Sequence, residues 1–246
     1  VSPDDPASIM FFGATMPGQA LKETGMADFL LLQLFNASSS AIMLLGLFGT
    51  VGLIPSLLEK GTVELFLSKP VSRTNLFLSR CAGAVSGIAL NIIYFTLGIW
   101  LVFGLKVGVW HWGFLASSLL TTYIFTCFFA LAAFFGVVGQ STGVAIILAF
   151  GFSMLASVLE TRELLLYKIW DNLIYHRTLD TLYYIVPQLN AMSKSAATLI
   201  GKLPVSMTPR TFSTPDSFSI LPFIYSTISA AGMYFLAVLY FKSRDY

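Results

Sequence analysis

Four stretches of the chain, residues 29–58, 81–105, 107–159 and 217–241, contain no Asp, Glu, Lys or Arg and are dense in Leu, Phe, Ala, Val and Ile. An uncharged apolar run of about 18 residues or more is long enough for a membrane-crossing helix, and more than half of the chain lies in such runs. The run 107–159 is long enough to cross, turn back and cross again, since about 20 residues of helix cover a hydrocarbon layer of roughly 30 Å. The pattern predicts five spans, over residues 29–54, 77–105, 113–136, 142–158 and 218–241. Pro55 closes the first, and a polar turn at Gly139, Gln140 and Ser141 separates the third from the fourth. The expected fold is all-α, a polytopic membrane helix bundle.

The connections carry the polar residues. Residues 1–28, with three prolines and Gly13, Gly18 and Gly25, read as a loop outside the membrane. In residues 55–76, Leu57, Leu58, Leu65 and Phe66 form an apolar face opposite Glu59, Lys60, Thr62 and Glu64, a short amphipathic helix broken by Pro70. Its polar face mixes both signs of charge, which suits a groove on another protein better than an anionic bilayer. The long segment 159–217 begins with Leu164, Leu165, Tyr167, Trp170, Tyr175 and Tyr183 set among charged residues, a pattern for amphipathic helices at a membrane surface. Pro187, Pro204, Pro209 and Pro215 are then expected to break it into loop.

Basic residues near span ends are retained on the cytoplasmic side. Lys60, Lys69, Arg73, Arg80, Lys242 and Arg244 stand on one side against Lys22 and Lys106 in the short connections of the other. Val1 is therefore expected outside and Tyr246 inside, with 159–217 an outer segment. Trp100, Trp110, Trp112 and Tyr123 fit rings at or near a headgroup boundary. An odd number of spans and a first residue that is not methionine lead us to expect a further span upstream of Val1.

Composition narrows the function. Charged residues make up 11% of the 246, about half the density usual in soluble domains, which excludes a conventional soluble enzyme. A net charge of +2 with no basic cluster gives no reason to expect a nucleic-acid partner. Cys81 and Cys127 lie in apolar stretches and imply neither a disulfide framework nor a metal site.

The most specific motif is Glu59-Lys60-Gly61-Thr62-Val63-Glu64 followed by Leu67-Ser68-Lys69-Pro70-Val71-Ser72-Arg73. It resembles the cytoplasmic signature of class-two ABC transporter permeases, E-(K/R)-G-T-x-E-x-L-L-x-(K/Q/S)-P-(V/I)-S-R, and lies where that signature belongs, between a span that enters the cytoplasm and one that leaves it. The turn at Gly139 to Gly143 is similar to the family's junction between its fourth and fifth helices. Tyr240-Phe241-Lys242-Ser243-Arg244-Asp245 is similar to its aromatic-basic-acidic ending. The family usually has six spans with the signature after the second, so the resemblance also implies a span before Val1.

The resemblance implies a permease subunit of an ATP-driven transporter, not itself an enzyme, resident in the cytoplasmic (inner) membrane of the cell. ATP and Mg would be held by a separate cytoplasmic ATP-binding subunit, in two copies. A second permease chain, identical or different, would complete the assembly, and an extracytoplasmic partner is compatible with the outer segment. Glu59, Lys60, Gly61, Thr62, Glu64, Ser68, Lys69, Pro70 and Arg73 would form the coupling region. The chain contains no G-x-x-x-x-G-K-(S/T) phosphate loop with which to hold ATP. The alternative is a membrane transporter not coupled to ATP, or a membrane scaffold. An ion-coupled carrier normally places ionisable groups near mid-membrane, and the five spans have none inside.

Further features each carry two readings. Gly83 and Gly87 fit a G-x-x-x-G pattern, a contact between two permease copies or packing within one subunit. Gln33, Asn36 and Ser40 fall on one face of the first span, joined loosely by Ser38 and Ser39. These residues, like Asn91 and like Thr121, Thr122 and Thr126, are expected to line a translocation path or to bond to a neighbouring helix. Gly139-Gln140-Ser141-Thr142-Gly143 satisfies G-x-S-x-G, but His111 and His176 are expected on the other side of the membrane, so no base reaches Ser141. No metal centre is expected at either histidine.

Overall fold

The computed structural model describes residues 9–11, 14–16, 26–58, 72–162, 166–168, 172–200 and 218–243. Within residues 1–28, strands β1 (Ile9–Phe11) and β2 (Ala14–Met16) pair antiparallel, with Ile9 opposite Met16. The other described elements are helices: α1 (Met26–Thr50), α2 (Arg73–Val107), α3 (Trp112–Gly139), α4 (Thr142–Glu160), α5 (Leu173–Ile185), α6 (Leu189–Ala197) and α7 (Leu221–Ser243). Among the described residues five segments are long and apolar enough to cross a membrane: Met26–Leu57, α2, α3, α4 and α7. The chain is a multi-pass membrane protein.

The helices outrun the uncharged segments because a helix does not stop where the hydrocarbon does. With 35 residues, α2 is about 52 Å long against roughly 30 Å of hydrocarbon. Its surplus turns carry Arg73 and Arg80 at one end and Lys106 at the other. Ser72 caps its start, the side-chain oxygen accepting from Asn75 N at 3.3 Å, and Gly108 ends it in a left-handed conformation at φ 72°, where a Cβ would be strained. Gln140, at φ 51°, ends α3, donating its N–H to Gly136 O at 3.1 Å.

The first span ends differently from the simple stop expected at Pro55. The α-helix gives way to a 3-10 turn at Val51–Leu53, and a second 3-10 turn runs from Pro55 to Leu58. Proline has no N–H for the carbonyl four residues back, and its ring crowds that carbonyl. The chain instead tightens, Ile54 N donating to Val51 O at 3.3 Å and Leu57 N to Ile54 O at 3.1 Å. Ile54 and Leu57 are buried, and Ile54 and Pro55 sit directly over Gly136 of α3, where a larger residue would press on them.

Two apolar clusters fill the bundle, one toward each end. One gathers Ala27, Leu31 and Phe35 of α1, Phe103 and Val107 of α2, Phe114 and Cys127 of α3, Met192 and Ala196 of α6, and Phe223 of α7. The other gathers Leu47, Ile54 and Leu57, Phe77 and Cys81 of α2, Phe129 and Val137 of α3, Ala145 of α4, and Phe241 of α7. Early residues of α1 share a cluster with late residues of α2 and early residues of α3, so the spans alternate in direction. Ser72, the turn at Gln140 and Ser243 accordingly lie at one end, and Trp110, Glu160, α5 and α6 at the other.

Within 159–217 the described residues are largely helical; residues 163–165, 169–171 and 201–217, with the loop expected at Pro204, Pro209 and Pro215, lie outside them. Helix α5 is a surface helix with no buried residue, capped by Asn172, whose side chain accepts from Ile174 N at 3.0 Å. Pro187 is followed by α6, not by loop. Met192, Ala196 and Ile200, four residues apart, put one face wholly into the core. Ser226 Oγ accepts from Gln188 N at 2.9 Å, and Ser229 Oγ donates to Ile185 O at 2.6 Å, which fixes the α5–α6 corner to α7.

Candidate functional site

Of the expected coupling residues, Glu59, Lys60, Gly61, Thr62, Glu64, Ser68, Lys69 and Pro70 lie outside the described residues, so the expected amphipathic helix there is not described. Their two attachments are described. On one side the chain leaves the buried turn at Leu57. On the other it returns at Ser72, and Arg73 is already the first residue of helix α2, so the last residues of the expected 55–76 segment are helical.

The polar residues of the first span do not share one surface: Ser38 faces a cleft toward α2 and Ser39 and Ser40 face one toward α3 and α4, while Gln33 and Asn36 line neither. Gln33 and Ser40 are exposed and Asn36 is half-buried, and the Ser40 hydroxyl donates back to Asn36 O at 3.0 Å. Asn91 donates to Gly87 O at 2.9 Å, Thr121 to Ser117 O at 2.9 Å, Thr122 to Ser118 O at 2.9 Å and Thr126 to Thr122 O at 2.8 Å. These side chains bond along their own helix, which satisfies them without a partner span. Bonds between spans come from other residues. Tyr123 turns into the bundle, its hydroxyl donating to Phe223 O at 3.2 Å and lying against Thr227, and Tyr234 OH donates to Thr126 O at 3.1 Å.

Two clefts open between the spans. One, of about 470 Å³, lies between α1 and α2 and is lined by Ser38, Ile42, Leu45, Ile88, Asn91 and Tyr94, among others. The other, of about 240 Å³, lies between α1, α3, α4 and α6. Its polar walls are Ser39 and Ser40, Thr121, Ser153 and Ser157, and Asn190 and Ser193. Of these, Ser153, Ser157, Asn190 and Ser193 were not singled out by sequence reasoning. The signal was present in the pair Ser153 and Ser157, one helical turn apart in an otherwise apolar span.

The end of the bundle that holds α5 and α6 carries the ionic contacts. Asp180 Oδ1 accepts from Arg162 Nε at 2.7 Å and from Tyr167 OH at 2.6 Å, and the guanidinium lies 4.0 Å from the centre of the Tyr183 ring. The bonds from Tyr167 and Arg162 hold the Asp180 carboxyl below the usual carboxylate range. Lys194 Nζ meets Glu160 Oε1 at 2.8 Å. Trp100 packs on Trp110 and Trp112 at centroid distances of 4.6 and 5.1 Å, and the Trp110 ring covers Gly104 so closely that a Cβ there would collide with it.

His111 stands at the start of α3, with Nε2 3.8 Å from Asp28 Oδ1, and Ser141 follows the end of that helix, about 40 Å away. His176 stacks on Tyr167 at 4.1 Å. Among the described residues no three His, Cys, Asp or Glu side chains are grouped to hold a metal ion. The G-x-S-x-G residues form a helix-to-helix turn, not the strand-to-helix elbow that a serine nucleophile requires.

Gly83 and Gly87 face away from the bundle, and a Cβ at either would meet nothing within 4 Å. Packing within the subunit, one of the two readings of this pair, does not occur among the described residues.

No protein-family model, curated protein or solved structure matches the chain.

Proposed function

We propose that the chain is the membrane-spanning permease subunit of an ATP-driven transporter, receiving motion from a cytoplasmic ATP-binding subunit through residues 59–73. The observation that carries this reading is the Glu59 to Arg73 motif, set between two membrane helices. The way its ends are anchored supports it. A segment that leaves a buried turn over Gly136 and returns at a capped helix start is joined at both ends to elements packed on α3, as a rigid-body transmission requires. Glu59 and Glu64 pair with basic groups of the ATPase, Gly61 permits close backbone approach, and Pro70 sets the bend before α2. ATP and Mg stay with the partner.

The end bearing Ser72, Gln140 and Lys242 then faces the cytoplasm, in keeping with the distribution of basic residues, and α5 and α6 face outward in the inner membrane. The open face at Gly83 and Gly87 is where the second permease chain seats, since small residues allow close helix approach.

The test is co-purification and coupled turnover. A detergent extract of cells carrying the tagged chain is expected to yield an ATPase subunit. The double variant Gly61→Trp with Glu64→Arg is expected to lose that subunit and ATP-dependent activity while keeping its thermal stability. An extract without an ATPase, or full activity in the double variant, overturns the reading.

A further inference from the structure

We propose that the cleft between α1, α3, α4 and α6 is a binding site for an uncharged amphipathic lipid with a hydroxyl-bearing headgroup of about glycerol size, of the monoacylglycerol class.

The cleft is graded from polar to apolar along the bundle. Helix directions place Ser157, Asn190 and Ser193 toward the end that holds α6, then Ser39, Ser40, Thr121 and Ser153, then Met43, Leu44, Phe128 and Phe150. Phe150 lies 5.8 Å from the Phe128 ring, and these two aromatics border that end. A ligand that matches this gradient has a hydrogen-bonding head and an apolar tail.

The hydroxyls define the head. Thr121 donates to Ser117 O, Ser153 to Phe150 O at 2.9 Å and Ser157 to Ser153 O at 3.0 Å, as Ser40 does to Asn36 O. Each has committed its single proton to its own helix, and the Ser157 oxygen also accepts from Asn190 Nδ2 at 2.7 Å, so Ser40, Thr121 and Ser153 present acceptor lone pairs to the cleft. Ser39 differs. It is 8% exposed, and its Oγ meets no hydrogen-bond partner among the described residues. The carbonyl one turn back, Phe35 O, already receives the Ser38 hydroxyl at 3.0 Å. A buried hydroxyl without a partner is costly, and a ligand group in the cleft would satisfy it. The walls therefore call for a ligand that mainly donates and also accepts from Ser39, as alcohols do.

Among the described residues no charged residue or histidine lines the cleft; the nearby Lys194 and Glu160 are paired with each other. A charged headgroup would lose its hydration with no counter-charge in return, so the head is neutral. The volume of about 240 Å³ equals that of about eight waters, enough for a glycerol head and the first part of a chain but not for a disaccharide. Ser40 and Leu44 are exposed, so the cleft opens sideways between α1 and α4, from the direction of the bilayer.

The experiment uses the whole protein in phosphatidylcholine nanodiscs, without ATP or any ATPase, so its outcome is independent of the coupling proposed above. The probe is a monoacylglycerol with a photoactivatable group in its acyl chain, compared with the fatty acid and the lysophosphatidylcholine bearing the same chain. Saturable labelling on α1 and α4 near Leu44 and Phe150 is expected for the monoacylglycerol alone. Ser39→Ala is expected to weaken it about five- to a hundredfold, the loss of one buried hydrogen bond. Tyr94→Phe, in the neighbouring cleft, should leave it unchanged. Equal labelling by the charged probes, or undiminished labelling of Ser39→Ala, overturns the proposal, and because that variant removes only an unpartnered hydroxyl it is expected to fold.

Discussion

Helices α2 and α3 have nearly the same mean hydropathy, 2.1 and 2.0 in their most apolar windows, yet 22% of that window is buried in α2 and 67% in α3. Hydropathy says that both cross a membrane. It does not say which is central, because lipid is as apolar as a protein core. Side-chain size makes the difference. Helix α3 alternates Phe125, Phe128 and Phe129 with Ala130, Ala132, Ala133 and Gly136, all buried, so that neighbours approach closely on every side. Helix α2 turns Leu90, Tyr94, Leu101 and Leu105 outward, and among the described residues nothing would meet a Cβ added at Gly83 or Gly87.

The sharpest break of this comparison is a matched truncation. Phe129→Ala is expected to cost about 3–5 kcal/mol, because Phe129 is wholly buried and its removal leaves a cavity. Leu90→Ala, at an equally apolar position, is expected to stay within about 0.5 kcal/mol. Reversible unfolding in mixed micelles measures both. Added bulk gives a smaller contrast. Ala133→Leu is expected to cost about 1–3 kcal/mol through overpacking, whereas Gly83→Leu is expected to leave the melting temperature of the single chain unchanged and to lower the yield of the proposed two-chain species on a sizing column. Equal destabilisation by the two would mean that the Gly83 face packs within the chain.

The smallest effect lies at the surface helix α5. The Asp180 carboxyl titrates below its ordinary value of 3.8. Its contribution is therefore complete above that pH and is lost as pH falls through the folded-state value. Amide exchange of α5, normalised to the intrinsic rate at each pH, is expected to quicken on acidification below 3.8, while α3 stays protected. In Asp180→Asn the quickening should already be present at neutral pH.

Much of the architecture could be read from where charges are missing, since burying an unpaired charge in hydrocarbon is costly enough to leave a gap in the sequence. The ends of the spans could not, because Arg73 and Glu160 are carried on helical turns that extend beyond the uncharged runs. Helix α6 was hidden behind Pro187, although the spacing of Met192, Ala196 and Ile200 encoded its buried face. The polar cleft was harder still. Ser39, Thr121, Ser153 and Asn190 come from four helices, and only the packing of those helices reveals that they face a common space. The motif from Glu59 to Arg73 is legible in the sequence alone.

The double 3-10 turn at Pro55 fixes the last described turns of the first span against α3, since Ile54 rests on Gly136 and Leu57 is buried. On the proposed coupling, a push or pull arriving there would be handed to the most enclosed of the five described spans, as a tiller bears on a rudder post.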